Sequence, residues 1–131
     1  MAEVTITFAP GQVWSLRAPA PASMRVRIGA VHEVAGKAGV HVEIAHAPLP
    51  EGFETEGGAT TISLGHVPIA AFALANAVDA LEDTNAVLSD PFIMGFEAWK
   101  KEWDLGRAGF FDVSPLDAVK VIFEAYKRAK A

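Results

Sequence analysis

Cysteine is missing altogether from the 131 residues of this chain. Disulfides, thiolate nucleophiles, thiolate zinc sites and iron–sulfur clusters are therefore excluded, and the composition fits a reducing compartment. Long apolar runs are missing as well, since no stretch approaches the roughly 18 to 20 consecutive apolar residues that span a bilayer. The start, MAEVTITFAPG, has no basic segment leading into an apolar one. The reading is a cytoplasmic protein with no membrane partner. Basic charge is also scarce: 11 Lys and Arg stand against 16 Asp and Glu, for a net charge of −5. Phosphate backbones bind through counterion release at clustered cations, so nucleic acid is not an expected partner. The one basic run, KRAK near the C-terminus, reads as a solvated last helical turn that complements the helix dipole.

What is present points to a folded globule. The hydrophobic share is 51% and the charged share 21%, far from the composition that leaves chains disordered. A chain of this length buries roughly two-thirds of its unfolded surface, enough for one core. With no linker and no internal repeat, residues 1–131 read as a single domain.

The first half alternates with period two. In EVTITF, Val4, Ile6 and Phe8 face one way and Thr5 and Thr7 the other. PGQVWSLR follows a Pro10-Gly11 turn signal, APAPAS breaks the pattern as a loop, and MRVRIGAVHEV and GVHVEIAH form a long hairpin. HAPLPEGFETEGGA is a long aperiodic loop, the kind that is usually functional or mobile, and TTISLG closes the strand half. The second half changes period. PIAAFALANAVDALE starts with Pro68 in a position suited to a first helical turn. DPFIMGFEAWKKEWDLG has Asp90 as cap, Pro91 next and Gly106 at the end. SPLDAVKVIFEAYKRAK has Ser114 as cap, Pro115 next and Asp117 where a capping-box acid sits. The expectation is an α+β fold: an antiparallel β-meander or small partly open barrel of about five strands (residues 3–65), followed by three α-helices (68–82, 91–105, 115–130) packed on it.

Three of the four histidines lie in GAVHEVAGKAGVHVEIAH. Strand parity divides them. His32 and His46 share the even face with Val26, Ile28, Val40, Val42 and Ile44, and so point inward. His41 is odd, beside Arg25, Arg27, Glu33 and Glu43. A hairpin centred on Gly36 to Ala38 sets Glu33 opposite His41, in a solvated charged ladder. That ladder supplies the candidate metal ligands His41, Glu43 and Glu33, because imidazole and carboxylate together suit zinc or manganese. His66, where a strand hands over to a helix, is the leading catalytic candidate, with His46 and Glu51, and then Glu54 and Glu56, as acid–base partners across the long loop. Phe92, Phe96, Trp99 and Trp103 recur at helical spacing. Burial against the sheet is the expected use of that stripe, and Trp14, His66, Trp99 and Trp103 are the ligand-binding candidates.

Strong signatures fail. HEVAG lacks the second histidine of a zinc-protease motif, AGKAG lacks the remainder of a phosphate loop, and TISLG has Thr61 where a nucleophile elbow needs glycine. HVE has no cysteines to complete a deaminase signature. GQVW, GHVP and FEAWKKEWDLGRAGFF resemble the landmarks of a family of small uncharacterised bacterial proteins, which implies a bacterial, self-contained domain and carries no site across. Residues 68–78 contain Asn76 as their one polar residue, and a helix apolar on nearly every side must be covered on nearly every side. The leading expectation is therefore a binding or interaction protein that forms a homo-oligomer, uses no cofactor and takes a small-molecule or protein partner. The alternatives are a small hydrolase or isomerase centred on His66, and a divalent-metal-binding protein.

Overall fold

The computed structural model describes residues 6–34, 37–50, 52–53 and 57–130. In chain order the elements are β1 (Val13–Leu16), β2 (Arg25–Val34), β3 (Lys37–Pro48), β4 (Thr61–Ala70), α1 (Ala71–Ala77), β5 (Val78–Asp83), α2 (Asp90–Asp104) and α3 (Pro115–Lys130). The strands form one antiparallel sheet in the order β4-β3-β2-β1-β5, a meander with β5 added at the far edge, and it is not closed into a barrel. The α+β architecture of sheet and packed helices is the one the periodicities predict.

The helices occupy both faces of the sheet. On one face Val26, Ile28, Val40, Val42, Ile44, Val67 and Ile69 merge with Leu74 of α1 and with Leu116, Val119 and Phe123 of α3 into a single aliphatic cluster. On the other lies α2, whose buried Phe92 is not part of that cluster. Local chemistry fixes both long helices. Ser89, not Asp90, caps α2 by accepting from Phe92 N, and Gly106 at φ 73° ends it, with Gly106 N donating to Trp103 O and Arg107 N to Glu102 O. Those paired bonds are a Schellman stop, which needs a left-handed residue that glycine adopts without cost. In α3 the Ser114 hydroxyl accepts from Asp117 N.

The predicted helix over 68–82 is divided. Pro68–Ala70 stay in β4, opposite Gly39–His41, and Phe111 clamps their outer side: its N–H donates to Pro68 O at 2.9 Å and its O accepts from Ala70 N at 2.7 Å. Proline fits because that side of the strand faces away from β3, where a missing N–H breaks no ladder bond. Helix α1 has no side-chain cap and no acid in its first turn. Nothing local extends it, and Val78–Asp83 pair with β1 instead. Of the predicted strand in EVTITF, Met1 to Thr5 fall outside the described residues, and 6–9 form no strand.

Three irregularities shift parity among β2, β3 and β4. Gly29 is the extra residue between the pairs Ile28↔Val42 and Ala30↔His41, one residue is added in β4 between Leu64 and Val67, and one in β3 between Ile44 and Ala47. Each bulge moves the following side chains to the opposite face. The predicted register is thus corrected: Glu33 pairs with Ala38, and His41 with Ala30.

A histidine pair in an aromatic box as candidate functional site

His41 is 0% exposed and Glu43 5%, so the face expected to be a solvated ladder is a second interior. The reason is α2, which lays Phe92, Phe96, Trp99 and Trp103 over it. Glycines permit the close approach. A Cβ at Gly29 would collide with the Phe92 ring, one at Gly39 with the Phe110 ring, and one at Gly95 with the Cβ of His66.

Inside this layer His41 Nδ1 lies 2.9 Å from His66 Nε2, with the two rings stacked at 16°. Phe96 and Trp99 stand nearly perpendicular to His41, with centroids 4.5 and 4.4 Å away, and Phe110 lies at 5.3 Å. Trp99 stacks on Trp103 at 5.0 Å and donates from Nε1 to Gly109 O. His32 packs against Trp103 at 5.1 Å and Trp99 at 5.6 Å. It was expected on the aliphatic face; the Gly29 bulge carries it across.

Burial dominates the electrostatics here. Loss of water around the ring, then the neighbouring His66 and His32, lower the pKa of His41 from 6.5 to about 3. Burial lowers that of His66 to about 4. Both imidazoles are neutral at pH 7, because a charge in this box would lose its hydration without gaining a carboxylate. A neutral pair shares one proton across its contact. His41 Nε2 is buried without a hydrogen-bond partner. A proton there leaves Nδ1 free to accept from His66 Nε2 and lets the surrounding ring faces take the Nε2–H, a weak but recurrent contact.

The metal candidates do not converge. His41 is enclosed by rings, Glu43 accepts from Ser89 N and lies 3.7 Å from Arg27, and Glu33 is exposed. Among the described residues no group of three or more His, Asp or Glu is arranged to hold a metal ion. His46 and His66 are not brought together either. His66 sits at the level of His41, whereas His46 occupies the β3 bulge at φ 58°, exposed beside Arg25 and Arg27 in an open groove. Glu51, Glu54 and Glu56 lie outside the described residues. Trp14 is remote from the α2 tryptophans: it meets Phe8 edge-on and donates to Gln12 Oε1 at 3.0 Å. No spacing in the sequence pairs His41 with His66. The usable signal was glycine within strands at Gly29, Gly39 and Gly65, which marks bulges and close approach.

Comparison with family models, curated proteins and solved structures finds no match for this chain. Among the described residues no helix is long and apolar enough to cross a membrane.

Proposed function

We propose that this chain is a non-catalytic interaction module that pairs with a second copy of itself along the β4 edge of its sheet. The observation that carries the reading is the contrast between the two sheet edges. Leu49 N donates to Thr60 O, and Ala47 pairs with Ile62. Strand alternation therefore turns the backbone groups of Thr61 and Ser63 outward, where they have no partner among the described residues. The open stretch Thr61–Gly65 carries no charge. The opposite edge, β5, carries Asp79, Glu82 and Asp83, of which Glu82 is paired with Arg25 at 2.6 Å. Like charges facing one another protect an edge, while an uncharged edge of β-forming residues is a template for another strand. Two β5 edges would repel; two β4 edges would not.

The histidine pair supports the non-catalytic part, since both rings are consumed by packing. The absence of cysteine supports a cytoplasmic setting, and the resemblance of the three landmarks supports a bacterial one. Sedimentation across micromolar concentrations tests the reading, with Ser63→Lys as the edge-breaking variant. The wild type is expected to dimerise and Ser63→Lys to sediment as a folded monomer, its melting temperature lowered only by the lost association. A wild type that stays monomeric at roughly tens of micromolar, where interfaces of modest area associate, removes self-association from the reading.

A further inference from the structure

A second feature lies away from the β4 edge. Between α1, the β1–β2 connection and the start of α3 is a cavity of about 360 Å³, within the size range of small-molecule sites. Its floor is apolar, formed by the buried Leu16, Ala73 and Leu116. Phe72 stands at its wall with 64% of its surface exposed. An aromatic ring left in water beside an apolar hollow is the side chain most changed by filling it.

Charges of both signs line the cavity: Arg17, Asp112 and Asp117. Arg17 Nε donates to Val78 O at 3.0 Å, which fixes the guanidinium in place, and its terminal nitrogens have no partner among the described residues. Neither aspartate forms an ion pair with it. Asp117 lies a loose 3.8 Å from Lys120, and Asp112 has no ion pair among the described residues. Opposite charges that line one apolar hollow without pairing with each other fit a molecule that carries both complements.

We infer that this cavity binds a small aliphatic zwitterion, a free amino acid or dipeptide, with its carboxylate on Arg17, its ammonium toward Asp112 and its side chain over Leu16 and Leu116. Charge-assisted bonds to Arg favour a planar carboxylate, and the aliphatic floor selects an apolar side chain. Charges of both signs also reject analogues that lack one charged group, because the unmatched protein group loses water without compensation.

The test is an amide chemical-shift titration of the full chain with leucine and with the dipeptide Leu-Leu, alongside N-acetyl-leucine and leucine amide. The expected result is saturable shifts at Phe72–Ala77 and Val113–Asp117 for at least one zwitterion. Both blocked analogues are expected to bind about tenfold or more weakly, a difference of about 1.4 kcal/mol. Asp112→Asn, at an exposed unpaired position, is expected to keep the fold and lose the preference for the free amine, and Arg17→Gln the preference for the free carboxylate. The inference is overturned by shifts absent at millimolar zwitterion, by blocked analogues that bind as well as the parent, or by a folded Asp112→Asn protein with unaltered affinity. None of these outcomes bears on pairing at β4, which sedimentation reads separately.

Discussion

Both faces of the central strands are buried, but under different covers and by different chemistry. Beneath α1 and α3 the strands present valine and isoleucine to leucine and phenylalanine, and stability there comes from aliphatic area removed from water. Beneath α2 the same strands present His32, His41, Glu43 and His66, and the cover is aromatic. The comparison teaches that an alternating polar pattern marks a strand's second face without saying that water reaches it. A helix whose rings accept edge-on imidazoles can bury that face as fully as an aliphatic one.

The largest expected difference between the faces is in their response to acid. The folded-state pKa values of His41 and His66 lie below the unfolded value of 6.5. The unfolded chain therefore binds more protons as the pH falls below 6.5, and stability is lost from there down to the folded values of about 3 and 4. Each histidine contributes on the order of 1.4 kcal/mol per pH unit in that window, with His66, which solvent partly reaches, delivering less. Chemical denaturation at a series of pH values between 7 and 4.5 measures the slope. His41→Leu is expected to remove more than half of it. Leu74→Ala, on the aliphatic face, is expected to destabilise by about 2 to 5 kcal/mol at every pH and leave the slope intact.

Next in size is steric. Gly29→Ala places a methyl group against the Phe92 ring, and the overpacking is expected to cost about 1 to 3 kcal/mol. Pairing it with Phe92→Leu sharpens the comparison: the double variant is expected to recover part of the loss, which a purely conformational effect at Gly29 would not allow. The smallest expected effect is at the exposed bulge. His46 holds φ 58°, a left-handed conformation that disfavours side chains by about 1 kcal/mol. His46→Gly is thus expected to raise the melting temperature slightly. A drop of several degrees instead would show that the imidazole makes a contact outweighing its strain.

Much of the architecture was legible. Ser114-Pro115 announced α3, Gly106 ended α2 where expected, and the alternation of Val40, Val42 and Ile44 identified the aliphatic face. The stretch 68–82 misled because it opens on proline, is apolar and contains no glycine, yet Phe111 captures its first residues at the sheet edge and β1 captures its last. Tertiary partners overrode propensity at both ends. The histidine pair was hidden because a polar strand face reads as solvated, and because His66 reads as the lead-in to a helix when β4 in fact runs on to Ala70; of the histidines, the Gly29 bulge misplaced His32 alone. One extra residue at Gly29 reverses every later assignment in β2, and the only sequence trace of it was a glycine in a run of β-forming residues. The cavity beside Phe72 joins segments far apart in the chain, so no local pattern could have announced it.

The most direct test of a buried, uncharged histidine layer is the ring-nitrogen NMR spectrum of His41 and His66 followed from pH 7.5 downward. Both rings are predicted to remain neutral to below pH 5, with His41 carrying its proton on Nε2 and a resolved coupling across the contact to His66. Titration of either ring near pH 6.5 while the protein stays folded would contradict the account, because it would mean that burial beneath α2 does not hold the imidazoles neutral.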